Sequence, residues 1–294
     1  MGFKACHPTV NILFYISVAV FGMLFKHPVC IAVSLCSSFA CYVKLRGKAA
    51  VKTFCLFLLP MLLFVAIINS LFAHYGVTPL LTLPDENSLT LESIVYGFVL
   101  AVSVVSVIMW MFCYNEVVTA DKFMHVFGKK LPAVALVVSM ALRFVPMYKT
   151  QFNVIAQAQR GLGLDYKTGS IFVRIKNTGK ILSILLSWAL ENAIETADSM
   201  RARGYGLKGR KTYSRFRWSA IDVILCIFIL IADLILALAV IKETFFAQYN
   251  PYIVIKSFDV LGYFAIIVLI ILSFLPLIVD LKEEFKWYRL KSKI

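Results

Sequence analysis

The sequence predicts an all-α polytopic membrane protein of about six transmembrane helices, with a cytoplasmic helical domain inserted before the last two. Three observations carry this. Hydrophobic residues make up 61% of the 294, against roughly 45–50% in a soluble domain. Mean hydropathy is +0.83. The net charge is +14, yet only 16% of residues are charged, so the charge is gathered in particular places.

A spanning helix needs about 20 mostly apolar residues. The candidates in order are Val10–Phe25, Val29–Val43, Phe54–Phe72, Ile94–Cys113, Ile221–Ile241 and Phe258–Val279. Lys4 precedes the first run, but no small-residue cleavage site follows, so the run is expected to be an uncleaved span. The first two runs are short, and only Lys26-His27-Pro28 separates them. Two arrangements fit: two crossings, or a tight hairpin that stops short of the far face.

Lys and Arg collect on the cytoplasmic side of a membrane. Lys44, Arg46, Lys48 and Lys52 follow the second run, and Lys282, Lys286, Arg289, Lys291 and Lys293 follow the last. The loop from His74 to Leu91 has no Lys or Arg and carries Asp85 and Glu86. With six spans these signals agree on both termini being cytoplasmic in a multi-pass cell-membrane protein. The segment Asn115–Trp218 then also lies inside, with 17 Lys and Arg against 6 Asp and Glu. The expected division is 1–114, 115–218 and 219–294.

The inserted domain reads as helices from about Pro132 to Arg160, with a kink expected at Pro146, and from about Thr178 to Arg203. Leu131–Met147 is apolar enough to suggest another span. Arg143 sits inside it, and a central Arg costs at least roughly 2.5 kcal/mol on insertion scales. The expectation is a helix at the interface or packed against the spans. On the second helix Ile181, Ile184, Leu185 and Trp188 recur at helical spacing. Ala189, Ala193 and Ala197 form a stripe of small residues, which lets helices cross closely.

Arg-Gly-x-Gly-Leu occurs twice, as Arg160-Gly161-Leu162-Gly163-Leu164 and Arg203-Gly204-Tyr205-Gly206-Leu207. Each copy ends one of these helices. Gly commonly terminates a helix in the left-handed conformation, and a cation suits the C-terminal dipole. A single copy is therefore explained as a cap. Two copies ending both long helices of one basic domain point to a surface that holds another protein, since Arg offers a planar fork of donors.

Other patterns carry less. Gly204 to Gly209 spells G-x-G-x-x-G, but these glycines end a helix where a dinucleotide site must open one. No P-loop pattern occurs. Glu191, Glu195 and Asp198 are expected to pair locally with Arg201 or with basic residues of the neighbouring helix. Asp233 and Asn69 lie inside spans, without an identified partner that would make a proton relay. Lys208-Gly209-Arg210-Lys211 through Arg217-Trp218 is a juxtamembrane basic run with aromatics, suited to anionic lipid headgroups rather than to nucleic acid. The seven cysteines have no ligand or disulfide spacing, and the four histidines are scattered. No cofactor or metal is expected.

The paired motifs, in the context Ala197-Asp198-Ser199-Met200-Arg201-Ala202-Arg203-Gly204, resemble the transmembrane T component of energy-coupling factor transporters, which include the cobalt-transporter permease subunit. That family carries two Ala-Arg-Gly motifs on cytoplasmic coupling helices. The first copy departs from it, with Gln159 before Arg160-Gly161. Arg143-Phe144-Val145-Pro146 also resembles the lead into the first coupling helix. The resemblance makes 115–218 a coupling-helix domain. It implies docking on two ATP-binding-cassette ATPases through Arg160, Gly161, Ala202, Arg203 and Gly204, with packing through Ala189, Ala193 and Ala197. It also implies a small substrate-binding membrane subunit and import of a vitamin or metal ion, with ATP hydrolysis in the partners and none in this chain. The rival reading is a self-contained secondary transporter, which needs a midplane site on broken helices.

Overall fold

The structure, a computed structural model, describes residues 2–72, 76–82, 88–128, 131–207 and 216–291. His74, Asp85, Glu86, Lys129, Lys130, Lys293 and most of the basic run, 208–215, lie outside the described residues. The chain divides into two compact units, Met1–Phe123 with Phe216–Ile294, and Met124–Arg215.

In the first unit a 3-10 turn at Phe3–Ala5 precedes α1 (Pro8–Leu24), and α2 covers Pro28–Arg46. Both helices open on His-Pro. Proline fits the first helical position, where its missing N–H costs nothing. The histidine Nδ1 accepts an orphan amide two residues on: His7 from Thr9 N–H at 3.3 Å, and His27 from Val29 N–H at 3.3 Å. Gly47, with φ at +61°, breaks the chain before α3 (Lys48–Thr53). A π-helical turn at Phe54–Leu58 joins α3 to α4 (Leu59–Phe72). Next come the hairpin β1 (Pro79–Thr82) and β2 (Ser88–Thr90), then α5 (Leu91–Val117). After the second unit come α9 (Ala220–Ile241), the hairpin β3 (Ala247–Gln248) and β4 (Val254–Ile255), and α10 (Val260–Lys291).

The first unit is built around α5, which packs on α1, α2 and α4. Phe14 and Trp110 meet edge to face at 5.8 Å between ring centroids, and the Trp110 indole N–H donates to Ser34 Oγ at 3.3 Å. At the crossing of α4 and α5, a Cβ added to Gly97 would lie 2.8 Å from Ala66 O and 2.9 Å from Ser70 Oγ. Only glycine permits that approach. α9 packs on α1 and α10, and Asp233 lies 2.6 Å from Ser17 Oγ across the α1–α9 seam. Asp233 thus ties two helices, whereas Asn69 lies on α4; no hydrogen bond joins the two among the described residues.

Among the described residues, six helices are long and apolar enough to cross a membrane: Pro28–Arg46, Lys48–Phe72, Leu91–Val117, Ala133–Gly161, Ala220–Ile241 and Val260–Lys291. The count matches the sequence expectation, but the membership differs. α1 has 17 residues. At about 1.5 Å per residue it falls short of a hydrocarbon core roughly 30 Å thick. The stretch from Ala133 qualifies by length and composition, although it contains Arg143 and Lys149. α5 runs on past residue 114 to Val117, and the first part of the first unit ends at Phe123.

In the second unit α7 (Pro132–Gly161) and α8 (Ile171–Ala202) form an antiparallel pair. α6 (Ala120–Gly128) leads toward it. Ile155, Ala156 and Ile181 are buried together, flanked by Phe152, Tyr166 and Leu185. Tyr148 meets Trp188 edge-on at 5.8 Å. Pro146 lies inside α7. α8 starts seven residues before the expected Thr178. Its extra turns fasten the inter-helix loop: Arg174 Nε donates to Tyr166 O at 3.3 Å, and Asn177 Nδ2 to Asp165 O at 3.0 Å.

Candidate docking site

The two Arg-Gly-x-Gly-Leu copies end their helices with different glycines. At the end of α7, Leu164 N–H donates to Gln159 O at 3.0 Å and Gly163 N–H to Arg160 O at 3.0 Å. Gly163, at φ +76°, is the left-handed residue, so Gly161 belongs to the last helical turn. At the end of α8, Tyr205 N–H donates to Met200 O at 3.0 Å and Gly204 N–H to Arg201 O at 2.9 Å. Here Gly204 has φ +76°, and Arg203 is the cap itself. Both are Schellman closures, shifted by two residues relative to the shared motif. The sequence reading that each Arg-Gly pair is the helix stop therefore holds for Arg203-Gly204 and not for Arg160-Gly161.

That shift gives the two arginines different surroundings. Arg160 Nε lies 3.0 Å from Asp165 Oδ2, with the arginine side chain 66% exposed and the aspartate 12%. Asp165 Oδ1 accepts the Lys167 N–H at 3.0 Å. The Lys167 amide and then the Arg160 guanidinium hold this carboxyl below its ordinary value, because both stabilise the anion. Arg203 is exposed and has no ion pair among the described residues. Of the three acids expected to pair with Arg201 or with the neighbouring helix, Asp198 meets Arg201 at 3.8 Å, while Glu191 and Glu195 are exposed.

The tips stand at opposite ends of the α7–α8 pair. Asn177 bonds the Asp165 turn beside Arg160, and the 26 residues of α8 from there to Arg203 rise roughly 40 Å. A Cβ on Gly161 would meet nothing within 4 Å, whereas one on Gly204 would lie 3.1 Å from Leu207 Cδ1. Ala202 is exposed. The seam between the helices runs through Ile181, Leu185 and Trp188. The alanine stripe continues past it: Ala189 is half-buried, and Ala193 and Ala197 are exposed. Val137, Val145, Leu186, Leu190 and Ile194 are exposed as well, between 61% and 66%. Among the described residues, no group of three or more His, Cys, Asp or Glu could hold a metal.

Some important residues escaped the sequence reading. His7 and His27 looked scattered, although the repeated His-Pro dipeptide, each ahead of an apolar run, was a legible helix-start signal. Lys122 is buried. It gave no signal, since two of the groups that satisfy it, Lys4 O and the Asn11 amide, are remote in sequence.

Fold and site together define a predominantly helical, multi-pass membrane protein that carries a pair of long helices with Arg-Gly motifs at opposite ends. Residues 4–214 match the family described as CbiQ, cobalt transport protein, and the chain belongs to that family. It is similar to the energy-coupling factor transporter transmembrane protein EcfT of Lactobacillus helveticus, 39% identical over 117 residues, 39% of this chain and 42% of the relative. The protein of the same name from Bacillus selenitireducens is 38% identical over 112 residues, 37% of this chain and 42% of the relative. That of Streptococcus thermophilus is 36% identical over 110 residues, 36% of this chain and 42% of the relative. The matched stretch thus spans less than half the length of these relatives.

Proposed function

We propose that the chain is the energy-coupling membrane subunit of an ATP-driven importer of the energy-coupling factor type. In this reading two cytoplasmic ATP-binding-cassette ATPases dock on the second unit, one at each tip. A small membrane subunit captures the cargo, a vitamin or metal ion. ATP-driven closure of the ATPases moves α7 and α8, and that motion reorients the capture subunit by rigid-body transmission. Arg160 and Gly161 serve one ATPase, and Ala202, Arg203 and Gly204 the other. Ala189, Ala193 and Ala197 are a packing surface. Both termini and the second unit are cytoplasmic, and the basic run before α9 rests on anionic headgroups. Hydrolysis belongs to the ATPases, and nucleic acid has no part.

The observation that supports this reading most is the pair of Arg-Gly helix ends roughly 40 Å apart along α8. One partner at a single groove would not need two tips so far apart, whereas a pair of ATPases would. The test is a pull-down of the tagged full chain from its native membranes. ABC ATPases and a small membrane protein are expected with the wild type. Arg160→Ala with Arg203→Ala should lose the ATPases at normal membrane abundance. Full retention by the double variant, or transport by the purified chain alone, would reject the proposal.

A further inference from the structure

Residues 3–11 hold both points at which the chain passes between its two units. The first unit ends at Phe123 and resumes at Phe216. Lys122, just before the exit, is buried. Its Nζ donates to Lys4 O at 2.5 Å and to Val117 O, at the end of α5, at 2.9 Å. The Asn11 amide, oriented by its neighbours, supplies the third acceptor: its oxygen lies 2.9 Å from Nζ, and its nitrogen donates to Phe3 O at 3.1 Å. All three ammonium protons are therefore satisfied inside the fold. Burial lowers the pKa of this ammonium from its ordinary value, with Cys6 opposing and Lys4 adding to the shift.

The return point is held by the same segment. Trp218 stacks on the His7 ring at 4.1 Å between centroids, with 20° between planes. Asp222 accepts the His7 backbone N–H at 2.9 Å with one oxygen and the Ser219 N–H at 3.0 Å with the other. α10 secures the segment itself, since Asp280 Oδ1 accepts the Phe3 N–H at 2.7 Å. A helix start explains the Ser219 bond. It does not explain why the same carboxylate and the adjoining tryptophan both seize residue 7 while Lys122 seizes residues 4 and 11.

We propose that residues 3–11 form a clasp that fixes the separation between the two roots of the second unit, with Lys122 and Asp222 as its positioning residues. Resting on the coupling role proposed above, the clasp makes both roots move as one body, so that force on α7 and α8 reaches the membrane helices instead of splaying the roots.

The test is a distance measurement between spin labels at the exposed positions Thr119 and Arg217, in the full chain in lipid nanodiscs. Cys36, Cys55 and Cys226 are replaced by Ser, which leaves only buried thiols. One narrow distribution is expected. Lys122→Met keeps the stem and loses every donor; Asp222→Ala loses both acceptors. Each should broaden the distribution about two-fold at temperatures far below its thermal transition, where locally opened states report the lost restraint. His7→Ala, which keeps the peptide N–H, should broaden it less, giving a milder variant if the others fold poorly. Unchanged widths in all three, or a width that tracks thermal stability alone, overturn the clasp. With ATPases bound, ATP and vanadate should leave the wild-type distance unchanged, and a second wild-type distance overturns the proposal. Failure to capture any ATPase rejects the coupling role, while the distances in the chain alone still decide the clasp.

Discussion

Gly161→Ala and Gly204→Ala should act in opposite directions on the stability of the chain, although both change the glycine of an Arg-Gly pair. Gly161 sits in the last turn of α7 with no positive φ, and an added Cβ meets nothing within 4 Å. Glycine inside a helix costs roughly 0.5–1 kcal/mol relative to alanine. Gly161→Ala should therefore stabilise the isolated chain by up to that amount. Gly204 has φ +76°, and its Cβ would press on Leu207. A left-handed non-glycine residue costs about 1–2 kcal/mol, so Gly204→Ala should destabilise. Thermal unfolding of the purified chain in detergent reads both signs. The proposed complex with ATPases gives the functional reading. If an ATPase groove closes over the bare face of Gly161, a methyl group there overpacks the contact by roughly 1–3 kcal/mol, about a 5- to 150-fold loss of affinity. Gly161→Ala would then yield a more stable subunit that retains less ATPase. Unchanged ATPase retention by Gly161→Ala would refute the reasoning that this glycine is kept for a partner.

The same contacts set further expectations. Arg160→Ala should destabilise the chain by only about 0.2–1 kcal/mol, the range for an exposed ion pair, and Arg203→Ala by less; chemical denaturation of each variant checks this. If the proposed coupling role holds, Arg→Lys at either tip should impair ATPase capture, because the fork is lost while the charge remains. Gly97→Val should lower membrane abundance sharply, since its side chain would collide with Ala66 O and Ser70; quantitative blotting of membranes reads it. Burial lowers the pKa of His27 from 6.5. The unfolded chain therefore binds the extra proton first, so His27 contributes stability that is present above pH 6.5 and lost as the pH falls through its depressed pKa. His27→Asn, which keeps a capping acceptor, should flatten that part of the stability–pH curve.

The sequence by itself determined the membrane class, the long apolar helices and the presence of two arginine-tipped helices. These depend on composition and on local periodicity, which a single strand of sequence carries in full. It also carried the repeated Arg-Gly-x-Gly-Leu motif, but not which glycine closes each helix. That choice depends on the residues beyond each motif: Asp165 takes Arg160 into its turn, and no such partner meets Arg203 among the described residues. The start of α8 at Ile171 was hidden for a similar reason, because Arg174 and Asn177 bond a loop whose path is set by the α7–α8 packing. The alanine stripe was legible as a pattern, but its exposure was not, since the larger Ile181, Leu185 and Trp188 make the seam. Only the tertiary structure decided the Lys122, Asn11 and Asp222 network around residues 3–11. Lys122 and Lys4 lie 118 positions apart, and Asp222 and His7 215, and a buried ammonium becomes tolerable only where folding brings the remote acceptors to it.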